Sequence, residues 1–207
     1  MGEFLISILK MVFGVLFLPL VVAGVMAVQM HLDFYPDLYQ QFFMYGLVAF
    51  LLIFIFLYQF WAFYEFGQNI ILQLLKFFAP FDRLASRFVP FYFTLICLLH
   101  YITITFFKAH AYDQYFLFFA GLFFGMHILL TAQVFQDEEK ALVKPNYFFW
   151  MPIVFVGNVF LLIVLFDLTT SKFTVASFAQ SVWTIAQQIY LLRFKELIDF
   201  MQTAKIG

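Results

Sequence analysis

The sequence predicts an all-α integral membrane protein of six transmembrane helices, with the N- and C-termini on the cytoplasmic side. Three observations predict it. The first is composition: of 207 residues, 65% are hydrophobic and only 11% charged, whereas soluble domains carry about 25% charged residues. The second is a set of six largely apolar runs, over 8–29, 42–64, 88–107, 115–135, 147–166 and 173–193, each near the roughly 20 residues needed to cross a bilayer. The third is where the cations fall. With the N-terminus inside, six spans leave Lys10, Lys76, Arg83, Arg87, Lys140, Lys144, Arg193, Lys195 and Lys205 on the cytoplasmic side, and only Lys108 and Lys172 outside. This is the positive-inside bias. Without the last span the split would be six against five. Short polar connections leave no room for a soluble domain, so residues 1–207 form a single membrane domain.

The first run follows MGEFLISILK and is read as an uncleaved span. Its Ala23 and Ala27 form a small-residue face that lets a neighbouring helix approach closely. After the second run, residues 65–79 read as an amphipathic helix lying on the cytoplasmic membrane surface. Glu65, Gln68, Asn69, Gln73 and Lys76 make its polar side, Ile70, Ile71, Leu74, Leu75 and Phe78 its apolar side, and Pro80 its end. The third run carries Cys97 and His100, neighbours one turn apart. Gly121 and Gly125 give the fourth a second small-residue face, and His127 follows them. In the fifth, Gly157 permits close approach and the Asn158 amide is a candidate for pairing across helices. Pro19 and Pro152 are candidate kinks. Tyr58, Trp61, Tyr64, Tyr147, Trp150 and Tyr190 fall near the inner interface, and Tyr35, Tyr39, Tyr112 and Tyr115 near the outer one, as aromatic belts do.

The sixth run stands apart. At about 100° per residue, Ser177, Gln180, Ser181, Thr184, Gln187 and Gln188 share one arc, with Val175, Phe178, Val182, Ile185 and Ile189 opposite. Unpaired amides and hydroxyls in hydrocarbon cost kilocalories each, so this stripe needs a partner. Helix packing within the chain, a second subunit, a water-filled path and a lipid or quinone site are the candidates. Phe194, Leu197, Ile198 and Met201 extend the same helical periodicity into an interfacial tail.

Chemistry-bearing patterns are few. The net charge of −1 and the absence of a Lys/Arg cluster argue against nucleic-acid binding. One cysteine excludes an intrachain disulfide. All twelve acidic residues fall in loops or at span ends, which disfavours proton- or sodium-coupled pumping through a carboxylate at membrane depth. The chain lacks the nucleophile-elbow, zinc-helix and phosphate-loop motifs. His100 and His127 invite comparison with bis-His haem ligation, but they sit at depths about 8 Å apart, counted at 1.5 Å per residue from the outer span ends. His31, His100, His110 and Asp113 form a weak candidate for an outer metal site. Neither haem nor metal is expected, and the alternative for each histidine is a hydrogen-bonded packing residue.

The expectation is therefore a non-enzymatic polytopic protein, acting as a subunit of a homo-oligomer or larger membrane complex. Its partners would be the bilayer and other membrane subunits. A small channel or transporter with an uncharged pathway along the sixth span is the alternative, and a redox or haem protein using His100 and His127 comes third. Either a bacterial inner membrane or an organelle membrane fits.

Overall fold

The computed structural model describes residues 2–57, 60–138, 144–170 and 174–203. They form α1 (Gly2–Leu32), α2 (Asp37–Leu57), α3 (Trp61–Leu74), α4 (Asp82–Phe88), α5 (Phe91–Phe107), α6 (Asp113–Asp137), α7 (Pro145–Thr170) and α8 (Val175–Thr203). Short 3-10 turns occupy Lys76–Phe78 and His110–Tyr112. Among the described residues there is no strand, and the all-helical class holds. Four segments, Gly2–Leu32, Asp37–Phe56, His110–Asp137 and Pro145–Leu168, are long and apolar enough to cross a bilayer. α5 is apolar but has 17 residues, about 26 Å of helix against about 30 Å of hydrocarbon. α8 has ample length at 29 residues, but its polar stripe keeps it out of the apolar set.

Tertiary contacts move two of the sequence-derived boundaries. The run read over 42–64 divides into α2, ending at Leu57, and α3, starting at Trp61. The surface helix expected over 65–79 thus begins earlier, and its α-helical part stops at Leu74, before the 3-10 turn. The start is set by anchoring rather than propensity. Tyr64 shares a 2.8 Å hydrogen bond with Thr131 of α6, and the Tyr92 hydroxyl of α5 donates to the Phe63 carbonyl at 2.7 Å. The third run starts at Phe91 because Pro90 follows Val89, whose backbone is extended (φ −103°, ψ 107°), as the residue before a proline tends to be. Both α1 and α7 run helical through Pro19 and Pro152. The side chains of Arg83, Leu197, Ile198 and Met201, with Tyr58, Lys140, Lys172 and Lys205, lie outside the described residues.

The six long helices alternate in direction. Lys10 and Gly14 of α1 meet Asn146 and Phe148 at the start of α7, while Tyr35 meets Asp167 near the end of α7, so these two run parallel. α8 returns antiparallel to α1, from His31 beside Thr174 to the Tyr190 hydroxyl on the Leu16 carbonyl. α2 and α6 are parallel to each other, α5 antiparallel to α6. The bundle thus has two ends, named below for His31 and Arg87. α6 is its central helix, with 56% of its membrane-length window buried against 17% for α2 and 22% for α1.

Small residues set the helix spacing. A Cβ added at Gly121 would lie 1.9 Å from the Phe43 carbonyl oxygen, and one added at Gly46 would lie 1.9 Å from that of Phe118. The glycines of α2 and α6 therefore place each helix directly against the other's backbone, as small residues do in apolar bundles. Gly121 was legible as a packing residue; its reciprocal partner Gly46 was not. Ala23 and Ala27 are both buried, packed with Val159, Ile163, Phe178 and Val182. Phenylalanines join the α1–α7–α8 layer to α2, α5 and α6. Phe43 of α2 meets Phe166 of α7 edge-on at 5.1 Å and Phe93 of α5 meets the same ring at 6.4 Å, while Phe124 of α6 meets Phe93 at 5.3 Å, in the range favoured by aromatic pairs.

Candidate functional site

α8 turns its polar stripe away from the rest of the chain. Phe178, Val182 and Ala186 are buried against α1 and α7. On the opposite side Ser177, Gln180, Thr184, Gln187 and Gln188 are exposed, and Ser181 is half-buried. The Ser177 hydroxyl donates to the Thr174 carbonyl at 2.7 Å, within its own helical turn. Gln180, Thr184, Gln187 and Gln188 make no side-chain hydrogen bond to another described residue. Trp183, Leu191 and Leu192 are exposed as well. Partners on neighbouring spans of the same chain were one expectation for this stripe. The apolar face takes that place, because Phe178 and Val182 fit the surface left by Ala23 and Ala27.

The His31 end is closed by two buried carboxylates. Asp167 of α7 accepts four hydrogen bonds: from the Tyr35 hydroxyl at 3.0 Å, the Thr174 hydroxyl at 2.5 Å, and the backbone N–H groups of Thr174 and Val175 at 2.5 and 2.9 Å. A side chain from α7 thereby caps the N-terminus of α8, where backbone amides lack helical partners and favour negative charge. Since the Thr174 hydroxyl donates to Asp167, the oxygen accepts from His31 Nε2. Asp113, at the start of α6, is the second. It accepts from the Tyr39 hydroxyl at 2.5 Å, from His100 Nε2 at 2.9 Å and from His110 Nδ1 at 3.3 Å. Tyr35, in the α1–α2 connection, and Tyr39, in the first turn of α2, thus reach two different carboxylates on two different helices.

At the Arg87 end the carboxylate of the ion pair remains exposed. The Arg87 guanidinium lies 4.4 Å over the Phe135 ring and forks onto Glu138, with Nη1 donating to Oε2 at 3.0 Å and Nη2 to Oε1. His127 is buried and donates from Nε2 to the Arg87 carbonyl at 3.0 Å. Two clefts flank Arg87. One, of about 360 Å3, lies toward α3, with Trp61, Glu65, Gln68 and Asn69 in its lining. The other, of about 500 Å3, lies toward α7, with Phe135, Glu138, Asn146 and Trp150 in its lining.

The intramembrane candidates separate accordingly. His100 stacks on Phe116 with ring centroids 5.0 Å apart, eleven residues before His127 on α6, or about 16 Å along the axis. Each imidazole is held by its own partner, and they do not face one another. Of the four weak metal candidates, His100 and His110 converge on Asp113, while His31 is engaged with Thr174. Among the described residues no cluster of three or more His, Cys, Asp or Glu is arranged to hold a metal ion. Asn158 is fully buried, but its amide donates to the Val154 carbonyl of its own helix at 2.9 Å rather than across helices. Its Oδ1 has no hydrogen-bond partner among the described residues. Cys97 is buried.

Sequence reasoning passed over Asp167, Thr174, Tyr35, Tyr39 and Arg87. It placed every carboxylate in loops or at span ends; Asp113 and Asp167 are indeed at helix ends, but their burial, at 6% and 4% exposed, was not anticipated. The available signal was local. Asp167 precedes Thr174 across a short connection, the arrangement in which one helix end can cap the next.

No family model matches the chain, and neither a characterised relative nor a solved structure is similar to it. Fold and composition define the class by themselves: an all-helical protein with four helices long and apolar enough to cross a membrane.

Proposed function

We propose that this chain is a six-span, non-enzymatic membrane protein acting as a subunit of a homo-oligomer or larger membrane complex, with the α8 stripe as its interface. The Arg87 end is cytoplasmic in this reading, and so are both termini, in keeping with the excess of Lys and Arg there. α5 and α8 complete the six spans. One observation carries the proposal: Gln180, Thr184, Gln187 and Gln188 point out of the bundle, on the face of α8 that this reading turns toward lipid. Exposed amides there are stabilised by a second helix offering the same groups, since Gln and Thr both donate and accept.

Native mass measurement in a mild detergent tests this. The wild type should appear as a multimer or with a co-purifying subunit, and the combined Gln180→Leu, Thr184→Leu and Gln187→Leu variant should lose that association while staying folded. A wild type that is only ever a lone monomer, or a folded triple variant with its assembly intact, defeats the reading. The outward stripe also bears on the runner-up, a small channel. An uncharged pathway along α8 would form between subunits, and the same triple variant in vesicles should then abolish solute flux.

A further inference from the structure

We infer that the cleft between α4, α6 and α7 at the Arg87 end binds the phosphate of an anionic membrane lipid head group. The inference uses the membrane reading above but does not depend on the α8 interface. The cleft, of about 500 Å3, is within the range of small-ligand sites. It has two chemical halves. Leu84, Phe135 and Trp150 are its apolar wall; Arg87, Glu138 and Asn146 are its polar side.

The cation is prepared for a phosphate. The Arg87 side chain is only 16% exposed and rests on the Phe135 ring, which fixes the plane of its fork. A fixed guanidinium fork fits phosphate oxygens as well as carboxylate oxygens. Its present partner Glu138 is a weak competitor. That side chain is 53% exposed and sits at the C-cap of α6, where the helix dipole opposes negative charge. The Glu138 side of the pair is open to solvent, which screens it. Two further cations attend the same end: Lys10 Nζ donates to Asn146 Oδ1 at 2.6 Å, and Lys144 Nζ to the Gln136 carbonyl at 2.5 Å. Asn146 itself lies in the first turn of α7, the end of a helix that favours anions.

Depth agrees with charge. Glu138 and Asn146 are at the ends of two helices long enough to cross a bilayer. Trp150 lies about 6 Å further in at 1.5 Å per residue, where aromatic belts sit. Basic pockets between helices at this level suit phosphate head groups. The neighbouring cleft on the far side of Arg87 also holds one glutamate, Glu65, but lacks Asn146, the residue that brings Lys10 to this site.

Native mass spectrometry of the full chain in detergent tests the site, with phosphatidylglycerol, phosphatidylcholine and inorganic phosphate added separately. Phosphatidylglycerol should be retained at concentrations about tenfold lower than phosphatidylcholine, the preference that two extra cations supply. Arg87→Gln and Lys10→Gln should each reduce that preference. Glu138→Gln should raise it several-fold, because the competing carboxylate is gone. A purely structural ion pair predicts the opposite for Glu138→Gln, so weakened retention in that variant overturns the proposal even if Arg87→Gln fails to fold. Equal retention of the two lipids also overturns it. Displacement of phosphatidylglycerol by excess inorganic phosphate assigns the cleft to free phosphate and removes the lipid.

Discussion

Asp113 and Asp167 at the His31 end are almost completely buried and accept seven hydrogen bonds between them, whereas Glu65 and Glu138 at the Arg87 end are exposed, bonded to Trp61 and Arg87. The same residue class does different work at the two ends. A buried carboxylate is stable only when donors converge on it, so each aspartate records a fixed arrangement of several helices. Asp167 ties α7, α8 and the α1–α2 connection; Asp113 ties α2, α5 and α6. The exposed glutamates constrain little and leave clefts open beside them. One end is therefore a clasp, and the other is accessible to ligands.

Three substitutions probe this contrast. Asp167→Ala should be the most damaging, because it removes the acceptor of four hydrogen bonds and uncaps α8; a loss of about 4 kcal/mol is expected from the lost bonds and cap. Denaturant unfolding in detergent measures it, and a loss under about 1 kcal/mol would mean that the clasp is dispensable. Asp113→Asn keeps the shape and an acceptor for Tyr39 but removes the charge that faces His100 and His110, so about 2 kcal/mol should be lost in the same assay. Glu138→Gln should change stability by no more than about 0.5 kcal/mol, as for exposed ion pairs. If it proved as costly as Asp167→Ala, the two ends would not differ in kind.

Much of the fold was legible because membrane helices announce themselves by length and apolarity. The six runs correspond to α1, α2, α5, α6, α7 and α8, and the small faces at Ala23/Ala27 and Gly121 do lie at helix contacts. The break between α2 and α3 was not legible, since Tyr58 to Tyr64 continues an apolar pattern without a local stop signal. The Tyr35 part of the Asp167 cluster was illegible for another reason. Its donor Tyr35 is 132 residues away in sequence, and no spacing rule reaches that far.

The stripe on α8 divides the two kinds of information most clearly. The sequence alone determined that Ser177, Gln180, Ser181, Thr184, Gln187 and Gln188 share one helical face, because 100° per residue is a property of the helix itself. Which way that face turns was decided by tertiary packing. Both sides of α8 had a claim on the bundle, polar groups seeking hydrogen bonds and apolar groups seeking close contact. Ala23 and Ala27 on α1 provide a smooth surface for Phe178 and Val182, and the chain provides no matching row of amides. The apolar face is therefore buried, and the polar face is turned outward.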